Sequence, residues 1–256
     1  MNWFDDFSKN GFVKVPAVDM APLNEVRNYI IEQIKICFNT HSEEKNIDLF
    51  LDRIHQLKMS DGDLNTGKLK LIESCTAKGD IGKLLYQAFR VYIDTLLGPD
   101  LLMQKNTNII LFPPNYEHYT EPHRDAPLNS AFELVFWIPL NRCYGTKSLY
   151  ILNIEKSKKA FELLKSENSF KKFESFCQNE GDYLEANFGE ACIFWTGLAH
   201  GSVANKENET RWTLNMRYKN AYSPNGVKDT LQFFEILKLS PVSEFAIAMQ
   251  KEILLS

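Results

Sequence analysis

Between residues 100 and 218 the apolar side chains return mostly at every second position, and turn-forming residues cut the pattern into short pieces. A period of two is that of a β-strand with one face toward a core. The candidate strands are 101–112, 117–123, 132–140, 148–152, 183–186, 190–196 and 211–218. Between them stand Pro113-Pro114-Asn115, Asn141, Gly145, Gly181-Asp182, Asn187-Phe188-Gly189 and Asn205. Many short strands punctuated in this way suggest a sandwich or jelly roll. Eighteen Phe, ten Tyr and four Trp suggest large rings filling a sheet-rich interior.

The flanks have a different period. After a short alternating stretch, Gly11 to Pro16, the positions Leu23, Val26, Ile30, Ile34 and Cys37 fall at helical spacing, with Pro22 suited to the first turn. A second helix is expected over 43–58, with Ile47, Phe50, Ile54 and Leu57 as its stripe. Residues 60–68 read as a loop by turn chemistry. Asp80 is placed to cap a third helix, which Gly98-Pro99 ends. Residues 155–178 mix Phe161, Leu164, Phe173 and Phe176 with lysines and read as one or two amphipathic helices inserted between strands. Residues 226–255 return to helix, with Leu231, Phe234 and Leu237 repeating before a Ser240-Pro241 start signal. The expectation is an α+β chain in one domain over 1–256. In it, 1–99 is a mainly helical N-terminal support, 100–220 the β core with a helical insert at 155–178, and 221–256 C-terminal helices.

A net charge of −4 gives no nucleic-acid footprint, and the Lys-rich patches at Lys156-Ser157-Lys158-Lys159 and Lys171-Lys172 alternate with apolar residues and read as solvated helix faces. No apolar run approaches the roughly 20 residues of a membrane span. Five cysteines, odd in number and without a Cys-x-x-Cys pair, argue against a disulfide framework or a zinc knuckle. Cys37, Cys177 and Cys192 sit among apolar neighbours and are expected to be buried thiols. With no leader-like N-terminus, a reducing cytoplasm is the default expectation. Nothing bears on oligomeric state.

Chemistry concentrates at Glu121-Pro122-His123-Arg124-Asp125-Ala126-Pro127. On an extended segment residues i and i+2 point the same way, so His123 and Asp125 can reach one cation while Arg124 turns aside. A third ligand is available at His200, which ends the apolar run from Ala191. Two imidazoles and a carboxylate are the set that holds non-haem Fe(II) on one face and leaves the other open. Beyond His200 comes Arg211-Trp212-Thr213-Leu214-Asn215-Met216-Arg217-Tyr218. Alternation puts Arg211, Thr213, Asn215 and Arg217 on one face. Several polar groups facing a core are costly unless paired, and a dianionic ligand would pair them, since a guanidinium grips a carboxylate bidentately. Plainer readings exist: a satisfied core histidine at 200, and an outward polar face on 211–218 with Trp212 and Leu214 in the core. His118, Tyr119, Glu121, Arg124, Asn129, Gln104, Asn106 and Asn108 are candidate substrate contacts, and Ser148 and Tyr150 candidate co-substrate contacts. Arg217 is the alternative anchor to Arg211.

His123-Arg124-Asp125, His200 and Arg211-Trp212-Thr213 together resemble the Fe(II)/2-oxoglutarate-dependent dioxygenases. Gly11-Phe12-Val13-Lys14-Val15-Pro16 and His200-Gly201-Ser202 resemble the phytanoyl-CoA hydroxylase-like branch. His123 to Leu128, with Trp137-Ile138-Pro139-Leu140 and Ser148-Leu149-Tyr150, is similar to the StrG-like oxygenases of sporadic carbohydrate gene clusters. The resemblance covers about residues 100–220. It implies a double-stranded β-helix, a cupin-like jelly roll with helices packed outside. It also implies that decarboxylation of 2-oxoglutarate to succinate and CO2 is coupled to hydroxylation of a small molecule by O2, the substrate being a sugar or a carbohydrate-derived metabolite. In that scheme His123, Asp125 and His200 hold iron, while Arg211, helped by Thr213, takes the distal carboxylate. The carboxylate at 125 favours hydroxylation over halogenation, for which related enzymes carry a small residue there. The competing expectations are a cupin-type metalloenzyme that does not use 2-oxoglutarate, and a non-catalytic carbohydrate-binding jelly roll.

Overall fold

A computed structural model describes residues 2–57, 59–116, 118–228 and 230–254. The chain opens with helix α1 (Trp3–Asn10), strand β1 (Phe12–Pro16) and helices α2 (Met20–Cys37), α3 (Ile47–Asp52), α4 (Asp61–Lys78) and α5 (Ile81–Leu97). Strands β2 (Leu101–Gln104), β3 (Asn108–Phe112), β4 (Glu133–Pro139) and β5 (Tyr150–Ile151) follow. Helices α6 (Ile154–Glu167) and α7 (Phe170–Glu180) interrupt them. The chain returns with β6 (Asp182–Tyr183), β7 (Glu190–Trp195), β8 (His200–Gly201) and β9 (Arg211–Asn220), then α8 (Thr230–Phe233), β10 (Phe234–Lys238) and α9 (Pro241–Leu254).

The strands make two antiparallel sheets. The larger runs β1-β7-β4-β9-β2-β10 with β3 also on β9, and the smaller is β6-β5-β8. Alternation assigns the faces. Leu134, Phe136 and Ile138 of β4 and Trp212, Leu214, Met216 and Tyr218 of β9 join one core with α2 to α5. Val135 and Trp137 of β4 and Cys192 and Phe194 of β7 turn the other way, toward Leu149 and Ile151 beside the small sheet. Burial of Leu214 and Met216 contributes about 1.5–3 kcal/mol each. The Tyr218 hydroxyl donates to the Gly82 carbonyl at 2.8 Å, and Trp212 Nε1 donates to that of Leu51 at 3.1 Å. The polar side chains of β9 therefore face the space between the sheets. The alternative of an outward polar face does not hold, because both faces of β9 are covered. The inserted helices α6 and α7 cover the back of the small sheet through Ala160, Phe173 and Cys177. No helix among the described residues is long and apolar enough to cross a membrane.

Several local expectations are corrected. Residues 61–78 are helix, and the loop reading of 60–68 fails. Ser60 and Asp63 form a reciprocal capping box, so the acidic turn-like text is a helix start. The helix expected over 43–58 is only Ile47–Asp52 and a 3-10 turn at Ile54–Leu57, broken at Arg53. Asp80 makes no capping bond, its carboxylate being taken by Lys78. The strand expected over 101–112 is two, β2 and β3, each pairing with a different part of β9. Residues 118–123 form no regular strand, only a single bridge from His123 to His200, and Glu117 lies outside the described residues. The all-helical reading of 226–255 fails at β10, where Phe234 is buried beside β2. Cys37 is half-buried, not buried.

Candidate metal centre

His123 and His200 come from segments that meet only at the site. Each donates its backbone amide to the other's carbonyl, at 3.0 and 2.9 Å. Gly201 lets the chains approach this closely: a Cβ there would stand 2.6 Å from the Tyr150 hydroxyl and 3.0 Å from the Thr120 carbonyl. Asp125 is fixed by its backbone, since the amides of Asp125 and Ala126 both donate to the Thr196 carbonyl at 3.0 Å. The Thr196 hydroxyl donates to the Ser130 carbonyl and Trp195 Nε1 to that of Ala131, pinning the rest of the loop.

One donor atom from each of His123, Asp125 and His200 lies within 4.8 Å of the others. The imidazoles are oriented by their second nitrogens. Nδ1 of His123 stands 2.9 Å from the Glu121 carbonyl, and Nδ1 of His200 stands 3.0 Å from that of Leu198. A carbonyl only accepts, so each Nδ1 carries a proton, and each Nε2 is the ring nitrogen left to face the other donors. Burial, then the neighbouring His123, pushes His200 down to about 4, so its imidazole is neutral at neutral pH. Burial works to raise the Asp125 carboxyl, but Arg217 and His200 outweigh it and hold the group below the usual carboxylate range. Two imidazoles and one ionised carboxylate suit a divalent first-row metal.

The triad opens on a cavity of about 260 Å³. Val135, Trp137, Leu149 and Phe194 give it apolar walls, and Arg211, Asn215 and Arg217 enter from β9 with Asn108 from β3. The two arginines differ. Nη2 of Arg217 lies 3.0 Å from Oδ2 of Asp125. Arg211 is 4% exposed, stacks over the Phe112 ring at 4.8 Å, and leaves Nε and Nη1 without a hydrogen-bond partner among the described residues. Burial lowers its pKa to about 10, so it remains a cation at neutral pH. The hydroxyl of Thr213 and Oδ1 of Asn215 are likewise buried and unpartnered. A row of buried, unsatisfied polar groups marks a surface that is completed by something polar.

Other candidates fall elsewhere. His118 lines a separate crevice of about 650 Å³ with His55 and Tyr116, away from the triad. Tyr119 donates to Glu174, and Arg124 lies over the Phe161 ring on the outer side of the loop. Gln104 accepts from Arg217, and the Asn106 carbonyl accepts from Gln104. Glu121 contributes its carbonyl only. Ser148 and Tyr150 are buried beside the site, with Leu149 between them facing the cavity. Sequence reasoning missed the fully buried Lys147, which joins Asp52 at 2.6 Å and Glu209 at 2.8 Å behind the Arg211 end of β9. No local pattern marks an ion pair between residues so distant in sequence.

No protein-family model and no curated protein matches the chain. Solved structures do match in fold. ThoJ, described as a non-heme monooxygenase in a nickel complex, aligns over 93% of this chain and 84% of its own, with 15% identity and a TM-score of 0.58. AviO1 from Streptomyces viridochromogenes Tue57 aligns over 88% and 96%, with 14% identity and a TM-score of 0.53. SnoK, described as a non-heme alpha ketoglutarate dependent carbocyclase from nogalamycin biosynthesis, aligns over 88% and 85%, with 13% identity and a TM-score of 0.50.

Proposed function

We propose that this chain, which has the fold of non-haem iron oxygenases, is an Fe(II)- and 2-oxoglutarate-dependent oxygenase that hydroxylates a small polar molecule and releases succinate and CO2. The observation that carries this reading is the buried, unpartnered Arg211 in the same cavity as the triad. A guanidinium held in such a place without an anion is a cost to folding, and a dicarboxylate reaching from the triad to Arg211 accounts for it. The sheet order fits a double-stranded β-helix, with the whole chain serving one site as one domain.

His123, Asp125 and His200 would hold the metal through Nε2, a carboxylate oxygen and Nε2. Bound there, iron supplies the redox chemistry with dioxygen that neither imidazole nor carboxylate can perform. The protein's share is placement. Arg211 and the Thr213 hydroxyl bind the distal carboxylate of 2-oxoglutarate and orient its other end toward the triad. Val135, Trp137, Leu149 and Phe194 keep water from the reacting groups. Asn108 and Asn215 give the wall hydrogen-bonding capacity suited to a hydroxyl-bearing substrate, which favours a carbohydrate-derived metabolite.

Anaerobic addition of Fe(II) and 2-oxoglutarate should give a visible metal-to-ligand absorption band, and admitting air with a hydroxylated-metabolite panel should release succinate. Absence of the band from folded protein at millimolar 2-oxoglutarate would overturn the proposal.

A further inference from the structure

The two oxygens of Asp125 have different neighbours. Oδ1 lies 4.0 Å from Nε2 of His123, on the side where the donor atoms converge. Oδ2 lies 3.0 Å from Nη2 of Arg217, an ion-pair contact without hydrogen-bond alignment, between side chains that are 12% and 11% exposed. Arg217 is itself held: its Nη1 donates to Oε1 of Gln104 at 3.4 Å, and Nε2 of Gln104 donates to the Asn106 carbonyl at 2.6 Å. The turn between β2 and β3 is thereby connected to the carboxylate.

We infer that Arg217 is a positioning residue for the metal carboxylate, occupying Oδ2 so that Asp125 offers a metal Oδ1 alone. The inference rests on the metal-centre reading above. One-oxygen ligation uses one coordination position where a chelating carboxylate would use two, and the position saved is needed by a two-pronged co-substrate and dioxygen. Arg217 is thus assigned a task distinct from that of Arg211. A sequence separation of six puts their Cα atoms about 20 Å apart along an extended strand, and of the two only Arg211 has its guanidinium free of carboxylate among the described residues.

Charge alone predicts the opposite of positioning, which makes the idea testable. A guanidinium beside a divalent cation repels it, so removing the guanidinium should tighten metal binding if repulsion were its main effect. Positioning predicts weaker binding. Nickel, which binds without supporting turnover, can be titrated calorimetrically into metal-stripped wild type, Arg217→Met and Arg217→Lys. Arg217→Met should bind nickel roughly 10–100-fold more weakly, the usual consequence of losing a group that orients a ligand. Arg217→Lys keeps the charge and loses the fork, so it should also bind more weakly, whereas charge alone predicts no change. The visible spectrum of the cobalt(II) form should lose intensity in Arg217→Met as the freed oxygen raises the coordination number. Nickel affinity in Arg217→Met at or above the wild-type value, or an unchanged cobalt spectrum, overturns the inference. If Arg217→Met does not fold, as judged by its thermal transition, Arg217→Lys decides alone. A wild type that takes up no nickel overturns the metal centre itself; a wild type that binds while both variants bind equally well overturns only the positioning role.

Discussion

Replacing Arg211 by methionine should stabilise the protein and disable it together. Burial holds the guanidinium at about 10 against an ordinary 12.5. At about 1.4 kcal/mol per pH unit, this is roughly 3 kcal/mol of burial cost carried by the charged form. The stacking of the guanidinium on Phe112 returns about 1 kcal/mol. Arg211→Met has similar length and no charge, so without 2-oxoglutarate it should be more stable by about 2 kcal/mol. For a chain of this size, that raises the melting temperature by about 4–8 °C. On the proposed reading the same change removes two donors, Nε and Nη1, that would make charge-assisted bonds to the dicarboxylate. At about 1.5–3 kcal/mol each, affinity for 2-oxoglutarate should fall on the order of 10²–10⁴-fold. Both effects can be read in one thermal-melt series on nickel-loaded protein. Wild type should gain stability as 2-oxoglutarate rises through its Kd, and Arg211→Met should start higher and stay flat. Nickel affinity should be nearly the same in the two proteins. A variant that melts lower than wild type yet still responds to 2-oxoglutarate would refute the reasoning, since Arg211 would then be a structural residue already satisfied in the fold.

Two further outcomes are expected. Lys147→Met leaves the Asp52 carboxylate, 17% exposed, with the Asn141 amide as its one donor among the described residues; urea unfolding should show a loss of about 3 kcal/mol, part of which Asp52→Asn restores in the double variant. Hydrogen bonds from the Ser240 amide and the hydroxyls of Ser243 and Ser240 hold the Asp100 carboxyl below the usual range despite its burial. A depressed folded value means that its stabilisation is full above the unfolded value of about 3.9 and disappears as pH falls through the folded one. Asp100→Asn should therefore unfold at lower urea than wild type at neutral pH, and the difference should close once pH falls below the depressed folded value; a gap that persists in strong acid would contradict this.

The parts of the site that sequence exposes are those whose information is local or periodic. His123 and Asp125 stand two apart, and the alternation of Arg211, Thr213, Asn215 and Arg217 survives because β9 is regular through Asn220. Residue types and the following Arg211 nominate His200 as a third ligand, but its meeting with His123 leaves no periodic signal, for the two are joined by one bridge and no strand longer than two residues. The misread elements have physical causes. Ser60-Asp61-Gly62-Asp63 has the composition of a turn, and its helix is decided by capping. Gly67 would be a weakness in any isolated helix, yet here its missing side chain is the space filled by the Phe38 ring, 2.6 Å from where a Cβ would stand. Residues 234–238 carry a spacing compatible with helix, and become strand because β2 offers an edge. Tertiary partners override local preference in each case.

What the helical layer does for the chemistry follows from the bonds on either side of Arg211. The Thr210 amide donates to the Asp52 carbonyl at 2.8 Å, and Nε1 of Trp212 donates to that of Leu51 at 3.1 Å. Asn141 closes the arrangement, donating to the Thr210 carbonyl at 2.7 Å and accepting from the Trp212 amide at 3.0 Å. Lys147 binds Asp52 and Glu209 behind it. A buried cation without a partner pulls its strand toward solvent, and these bonds to α3 oppose that pull. The triad is held by other contacts, the His123–His200 bridge, the Thr196 carbonyl and the Arg217 guanidinium at the far end of β9. The site thus has two separately supported halves. Loosening α3 should weaken the grip on the dicarboxylate while metal affinity holds, and loosening the Thr196 loop should do the reverse. Equal loss of both from a substitution in α3 that leaves the fold intact would show that the halves are mechanically one.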